Sequence, residues 1–148
     1  MASTKTKNIY APAVASFKLQ LGPHGEFALS SKSTRSKRKI AERLQAQLEA
    51  ARTALDADEE AGNTDASTEA LEQLADAYPL LDEHDVDISD AVILILLYII
   101  VHSLEGADTD IAHRMFEDYL DDDLGEDQII ATVELITHEQ ERLETAKN

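Results

Sequence analysis

The stretch that decides the fold is AVILILLYIIV, residues 91–101, in which the Tyr98 hydroxyl is the only polar side-chain group. The rest of the chain is poorer in large apolar residues and rich in charge. A helix that is apolar on every side must be surrounded. These eleven residues are about half of the roughly 20 that a membrane-spanning helix needs. The sequence therefore predicts a central helix buried within protein, and the remaining segments are expected to cover it.

Length and composition indicate a single domain without disulfides. The chain has 148 residues and no Cys. It is long enough to bury a core of its own, and it has no disulfide framework, thiol nucleophile or thiolate metal site. Lys5 and Lys7 are not followed by an apolar run, so no secretory signal is expected. We expect a soluble protein of the cytoplasm that does not enter a membrane.

The charge is distributed very unevenly along the chain. Residues 1–53 carry ten Lys or Arg against three Glu, a net charge of +7, whereas residues 54–148 carry three Lys or Arg against 27 Asp or Glu, a net charge of −24. An acidic body of this kind repels nucleic acid and keeps exposed apolar surface in solution. A halophilic host is an alternative explanation, but the basic first third does not fit a uniform acidic adaptation.

The N-terminal part is predicted to be a flexible tail, residues 1–13, followed by a β-hairpin within residues 14–30. Phe17 and Leu19 alternate with polar residues, and Phe27 does so after a Gly-Pro-His-Gly turn, so one face of the hairpin is apolar. A lone hairpin is barely stable in water. This face is therefore expected either to pack on a helix or to be paired by another chain.

An amphipathic helix over residues 37–58 is predicted to follow, completing a segment of 14–58. Its apolar residues recur at intervals of three and four: Ile40, Leu44, Leu48, Ala51 and Leu55. A basic cluster precedes this stripe and enters the helix: Lys32, Arg35, Lys37, Arg38 and Lys39. Positive charge is unfavourable at a helix N-terminus. The cluster is therefore expected to face an anionic surface, of this chain or of a partner.

The rest of the chain is predicted to be an acidic linker, residues 59–67, and an acidic helical body, residues 68–148, built around a helix over 89–104. Capping residues, Pro79 and Gly106 divide this body into helices, predicted over 68–77, 89–104, 110–121 and 126–145. The last of them is expected to face inward with Ile129, Ile130, Val133 and Ile136. The predicted fold is mainly α, with four to five helices and an N-terminal β-hairpin.

No pattern in the sequence indicates catalysis, a cofactor or a metal. The acidic segment beginning at Asp56 has its Gly at the wrong position for an EF-hand loop. The five His residues are scattered, without the paired spacing of a zinc site. There is no phosphate-binding Gly-rich loop and no nucleophile with a neighbouring base. We therefore expect a protein that is not an enzyme and has no cofactor.

Two surfaces remain as candidate sites. The basic segment 32–43 is the candidate for nucleic-acid binding, but it lacks interleaved aromatic residues and is followed by an acidic body. The apolar residues of the hairpin and of the first helix have few evident partners within the chain, which favours binding of another chain's amphipathic helix. The alternative is that these apolar residues simply complete the core. The candidate partner-binding residues are Phe17, Leu19, Phe27, Ile40, Leu44, Leu48 and Leu55.

The order of these elements resembles that of the tail assembly chaperones of long-tailed phages. The resemblance lies in a β segment (FKLQL and EFAL), a basic amphipathic helix (TRSKRKIAERLQAQLEAA), an apolar helix (ILLYIIVHSLEG) and a final acidic-then-aliphatic helix (DLGEDQIIATVELI). It covers residues 14–140 as an order of elements rather than as a sharp motif. The family has no catalytic residues to transfer, and the basic segment 32–39 has no counterpart that the resemblance explains.

The resemblance implies a non-enzymatic protein that binds the long helical tape measure protein and keeps it soluble in the host cytoplasm during tail assembly. It would be absent from the finished tail, and its candidate partners are the tape measure protein, another helical protein or further copies of itself. Two alternatives remain at this point. One is a structural component of the tail or head–tail region whose hairpin pairs with neighbouring subunits. The other is a small nucleic-acid-binding regulator that uses residues 32–43.

Overall fold

A computed structural model describes residues 18–30 and 35–147, with the side chains of the last helix described as far as residue 142. The predicted tail, Phe17 and Lys32 lie outside these residues. The described elements are β1 (Lys18–Gln20), β2 (Glu26–Ala28), α1 (Arg35–Ala61), α2 (Asp65–Ala77), α3 (Ile88–His102), α4 (Thr109–Leu120) and α5 (Glu126–Lys147), with short 3₁₀ helices at Gly22–His24 and Pro79–Asp82. The predicted mainly α fold with an N-terminal β-hairpin is confirmed.

Helix α3 is the buried centre of the domain. It packs against each of the other four helices, and Leu94, Leu97 and Ile100 have no solvent exposure at all. Its N-terminus is closed by a capping box, in which the Asp87 carboxylate accepts the Asp90 N–H and the Asp90 carboxylate accepts the Asp87 N–H. The helix is therefore fixed by polar groups at its start and by apolar packing along its length.

Helix α1 packs on α3 with the predicted apolar stripe, and this corrects one expectation. Leu44 and Leu48 are 0% and 4% exposed and belong to the main core. The sequence had indicated few partners within the chain for these residues. The reason for the difference is that α3 is apolar on all sides, so it presents a face to α1 as well as to the helices that follow it. Ile40 and Leu55 lie at the two ends of the stripe and are half-buried.

The link between α1 and α2 is shorter than the predicted linker 59–67. Helix α1 continues to Ala61 and α2 begins at Asp65, which leaves only residues 62–64. The turn is made possible by Gly62, whose φ of +72° is in the left-handed region. The buried Asp58 carboxylate then accepts the N–H groups of Ala66 and Ser67, both at 2.8 Å. The end of α1 therefore caps the start of α2, a contact between helices that the sequence pattern did not indicate.

Replacing Asp58 by Asn is expected to lower the melting temperature by several degrees at about pH 7, where the Asp58 carboxylate of the wild type is ionised. The Asn side chain offers one acceptor oxygen where two backbone N–H groups need one each. The hydrogen bonds from Ser67 and Ala66 hold the pKa of Asp58 below its ordinary value of 3.8, against desolvation that raises it. Because this folded-state pKa is depressed, the stabilisation is complete above 3.8 and is lost as the pH falls through the folded-state value.

The matched control is Asp56→Asn, which makes the same change at an exposed position of the same helix. Thermal melts of both variants, from neutral pH to below 3.8, measure the effect. A melting temperature for Asp58→Asn equal to that of Asp56→Asn at neutral pH would show that the cap contributes nothing.

The hairpin packs on the body of its own chain. Strands β1 and β2 are antiparallel, with Leu19 opposite Phe27. Beyond β2, Leu29 pairs with Leu104 in the turn after α3, and hydrogen bonds of 2.8–2.9 Å on either side extend this pairing. At the hairpin turn, His24 Nε2 and Asp118 Oδ2 are in hydrogen-bond contact at 2.8 Å. The hairpin is therefore held on the body at two places, the turn after α3 and the last turn of α4.

Helices α4 and α5 complete the cover of α3. The Asp108 side chain accepts the Ile111 N–H at the start of α4. At the other end of α4, Tyr119 donates its hydroxyl to Asp90 Oδ1 at 2.9 Å. Burial together with this contact raises the pKa of Tyr119 to about 12. The Asp90 carboxylate thus caps α3 and holds α4 at the same time.

Helix α5 packs on α3 through a narrower face than predicted. Ile129 and Ile136 are 1% exposed and Val133 is half-buried, but Ile130 is 37% exposed. Adjacent residues of a helix are separated by about 100° around its axis. Ile130 therefore cannot share the narrow stripe that Ile129 and its partners form. The prediction that Ile130 faces inward is wrong.

Candidate functional site

A groove lined mainly by apolar residues lies between α1 and α5, and α3 forms its floor. It has a volume of about 380 Å³. The residues that line it are Arg52 and Leu55 of α1, Ser89, Val92, Ile93 and Leu96 of α3, and Glu126, Ile130, Val133 and Glu134 of α5. A concave, mainly apolar surface with a few polar groups at its edge is the usual form of a binding site. This groove is the candidate functional site.

Helix α5 packs on α3, and the groove lies on the side of α5 that is nearest to α1. The narrow stripe of α5 is satisfied by α3, which leaves Ile130 directed to the side on which α1 lies. Leu55, near the end of the α1 stripe, borders the same space and is half-buried. Leu55 and Ile130 therefore remain partly exposed on the two sides of the groove, with Val92 and Leu96 at its base.

Three charged side chains line the groove. Glu126 and Glu134 belong to the α5 wall, and Arg52 belongs to the α1 wall. All three are exposed, and no salt bridge among the described residues involves any of them. The two Glu residues are about 12 Å apart along the axis of α5, from the rise of 1.5 Å per residue. The groove thus has an apolar base, two Glu residues on its α5 side and one Arg on its α1 side.

A cluster of aromatic and His side chains lies toward the opposite end of α3. The Tyr98 hydroxyl and His113 Nε2 are 2.7 Å apart. The rings of Tyr78 and Tyr98 meet edge to face, with their centres 4.9 Å apart. The Tyr78 hydroxyl donates a hydrogen bond to Gln47 Oε1. Burial raises the pKa of Tyr78 and of Tyr98. Both hydroxyls are therefore neutral hydrogen-bonding groups at neutral pH, and their contacts join α1, α3 and α4.

His102 adds a fourth ring to this cluster and indicates where the basic residues lie. Its pKa is lowered by burial first, and then by the positive charges of Arg43 and Lys37. The N-terminal turns of α1 are therefore close to the C-terminal end of α3, whose helix dipole is negative. This placement gives the basic segment an anionic neighbour within its own chain.

The candidate residues from the sequence are distributed over separate parts of the structure. Leu19 and Phe27 are half-buried on the hairpin, and Ile40 is half-buried toward the N-terminal end of α1. Leu55 borders the groove. Leu44 and Leu48 are core residues, so a partner could reach them only by displacing packed helices. Two of the predicted partner-binding residues, Leu44 and Leu48, are therefore buried in the core, and Leu55 is the one that borders the groove.

The groove residues outside α1 were not identified as a site from the sequence. Val92 and Leu96 belong to the all-apolar helix, where no pattern separates a groove floor from a core position. Ile130 follows Ile129 directly, and a pair of adjacent apolar residues in a helix is a signal that one of them lies away from the core.

The basic cluster is on the surface as far as the structure describes it. Arg35, Lys37, Arg38 and Lys39 are exposed in the first turns of α1. The Lys37 ammonium donates to the Ser30 hydroxyl, which ties the start of α1 to the end of the hairpin. The residues described in the structure contain no group of three or more His, Asp or Glu side chains that could hold a metal ion.

Comparisons with known proteins give no relative for this chain: no protein-family model, no curated protein and no solved structure matches it. Separately, none of the described helices combines the length and the apolar character that a membrane crossing requires.

Proposed function

We propose that this protein is a non-enzymatic phage tail assembly chaperone, which binds the helical tape measure protein in the host cytoplasm and keeps it soluble until the tail tube forms. The observation that carries the proposal is the open apolar groove between α1 and α5. Grooves between helices commonly accept the apolar face of an amphipathic helix. The order of elements described above supplies the identity of the partner.

The acidic body supports this role. A long helical protein with apolar faces tends to associate with itself when its assembly partners are missing. A chaperone that covers part of those faces adds negative charge to the complex, and residues 54–148 carry a net charge of −24. Repulsion between such complexes opposes aggregation.

The size of the groove fits a reversible contact. The distance of about 12 Å between its two Glu residues corresponds to about two helical turns of a partner. A contact of this length buries few side chains, so each one is weak enough to be released when tube subunits replace it. Several copies of the protein would then cover a long partner.

The direct test is co-expression with the candidate tape measure protein. We expect that protein to be soluble with the wild-type chain and to precipitate without it. A Leu55→Gln and Ile130→Gln double variant is expected to abolish the effect, because both residues border the groove and neither is fully buried. Equal solubility of the partner with and without this protein would refute the proposal.

The second candidate is a structural component of the tail or head–tail region. Among the described residues, β1 pairs with β2 and with no other strand, so its outer edge could accept a strand from a neighbouring subunit. Stoichiometric recovery of the protein in purified particles would favour this role over a chaperone that leaves.

A further inference from the structure

We infer that the groove between α1 and α5 binds an amphipathic helix that carries Lys or Arg on both sides of its apolar stripe. The inference rests on the function proposed above, since it concerns the same groove, and it adds the chemical class of the helix that is bound there. The recognition has two parts. The apolar floor receives the stripe, and carboxylates on both sides of the groove receive the basic residues.

The apolar part of the recognition comes from side chains that the fold leaves partly uncovered. Ile130 is exposed, and Leu55 and Val92 are half-buried along the same groove. Burial of these side chains by an incoming apolar stripe supplies free energy of binding. The floor follows α3 from Ser89 to Leu96, which is about two helical turns. A partner helix lying along the floor therefore covers it with about two turns of apolar residues.

The α5 side of the groove carries a row of Glu residues. Glu126 and Glu134 line the groove, and Glu141 is seven residues beyond Glu134, so it lies at nearly the same angle around the helix. All three are exposed, and no Lys or Arg occurs between Glu126 and Glu141. None of them forms a salt bridge within the part of the chain that the structure describes. Their carboxylates are therefore available to basic residues of a partner.

The α1 side of the groove is also acidic, although an Arg lines it. Arg52 is the only Lys or Arg of α1 beyond Arg43. Three exposed carboxylates lie near it along the helix: Glu49, Asp56 and Glu59. Glu59 follows Leu55 by about one turn, on the same side of α1. One positive and three negative charges give this stretch a net charge of −2, so the potential on both sides of the groove favours a basic partner.

The environment of Tyr119 shows that the negative charge continues at the start of α3. The pKa of Tyr119 is raised to about 12, by burial first and then by its hydrogen bond to Asp90. The charges of Asp90, Glu126 and Asp87 contribute to the same shift. Glu126 of the groove is therefore close enough to two carboxylates of the α3 cap to act on the same hydroxyl group.

Other occupants fit the groove less well or are separated by experiment. Nucleic acid would bring phosphates to the carboxylates on both sides, which repel them. A second copy would present either an α5 with the same row of Glu residues or an α1 whose apolar side is packed in its own core. Residues 1–17 of the chain itself carry Lys5 and Lys7 and no acidic residue, so they are tested below as a competing occupant.

The test uses three synthetic peptides, each long enough for about five helical turns. The Lys peptide has a Leu stripe with Lys on both sides, and the Glu peptide has Glu at the Lys positions. The scrambled peptide has the composition of the Lys peptide without the stripe. In fluorescence anisotropy, the Lys peptide is expected to bind the wild-type protein about tenfold more tightly than either of the others. Equal binding of the Lys and scrambled peptides would show that only net charge is recognised, and would overturn the inference.

The charge variant is Glu126→Gln with Glu134→Gln, which removes two carboxylates that line the groove. It is expected to weaken binding of the Lys peptide by about fivefold, since each charge pair at an interface edge contributes modestly. The matched control is Glu69→Gln with Asp76→Asn, which removes two exposed carboxylates of α2 outside the groove. An equal loss of affinity in both double variants would contradict binding in the groove.

The apolar variant is Ile130→Gln, with Leu135→Gln as its control. Both residues are exposed apolar side chains of α5, but Leu135 is about 140° around the helix from Ile130. Only Ile130→Gln is expected to weaken binding of the Lys peptide, by about tenfold. Circular dichroism checks that both variants are folded. Equal affinities of the two variants would place the peptide elsewhere and overturn the inference.

Two measurements on the full chain distinguish the competing occupants. If residues 1–17 fill the groove of their own chain, Lys5→Glu with Lys7→Glu would free it and tighten binding of the Lys peptide but not of the scrambled peptide. If a second copy fills it, analytical ultracentrifugation would detect a dimer that Ile130→Gln dissociates and Leu135→Gln does not. Either result would overturn a partner helix as the occupant. We expect unchanged peptide affinity and no association that depends on Ile130.

The outcomes also separate this inference from the proposed function. If the Lys peptide does not bind, or if the groove variants bind it as the wild type does, the inference is wrong. The proposed function would still hold if the wild-type protein keeps the tape measure protein soluble. Binding of the Lys peptide in the groove without any effect on the tape measure protein would retain the inference and refute the proposed function.

Discussion

Replacing Leu97 by Ala is expected to lower the free energy of unfolding by about 3–5 kcal/mol, a large part of the stability of a domain of this size. Leu97 is 0% exposed and belongs to the helix that every other helix contacts. Its removal leaves a cavity that cannot collapse without moving several elements at once. The lost stability therefore has two parts: the transfer free energy of the removed side-chain atoms and the cost of the cavity that they leave.

Urea denaturation of the Leu97→Ala variant measures this effect. The control is Leu135→Ala, which makes the same truncation at a residue that is 40% exposed, and it is expected to change the stability by less than about 0.5 kcal/mol. If the two variants were equally stable, α3 could not be the core that holds the domain together.

Replacing Leu44 by Asp is expected to unfold the protein at room temperature. Leu44 is 0% exposed and packs within the main core. A carboxylate at that position would lose its hydration without gaining a partner, and the cost is several kcal/mol in addition to the lost apolar packing. Such a cost approaches the whole stability of a typical domain.

This experiment also separates a structural role of the α1 stripe from a binding role. The control is Gln45→Asp, which introduces the same side chain at the next, exposed position of α1. It is expected to keep the far-ultraviolet circular dichroism spectrum of the wild type. A folded Leu44→Asp protein that fails only in partner binding would show that Leu44 is a contact residue, as the sequence had indicated.

Much of the fold could be predicted because its main signals are local. The continuous apolar run at 91–101 identified α3, and capping residues indicated where two of the helices begin, with Asp87 and Asp108 as the caps in the structure. Each of these signals depends on side chains a few residues apart. Helix periodicity and capping are properties of that range.

The groove and the burial of α1 depend on contacts between distant parts of the chain. The spacing of Leu44 and Leu48 showed that they share a face, but nothing in that spacing shows which helix covers the face. Asp58 is similar: it stands in an acidic run and looks solvated, yet its carboxylate is used by two N–H groups of the next helix. Sequence patterns indicate a side chain's direction more readily than its partner.

The Asp58 cap has a consequence for the order in which the chain folds. Asp58 and the two N–H groups it accepts are eight and nine residues apart, whereas Leu44 must wait for a helix that begins more than 40 residues later. Contacts at short separation close first because they cost less chain entropy. The pair of helices α1 and α2 is thus the part that can form while α3 is still being synthesised. Slower refolding of the Asp58→Asn variant in stopped-flow experiments would reveal that early step.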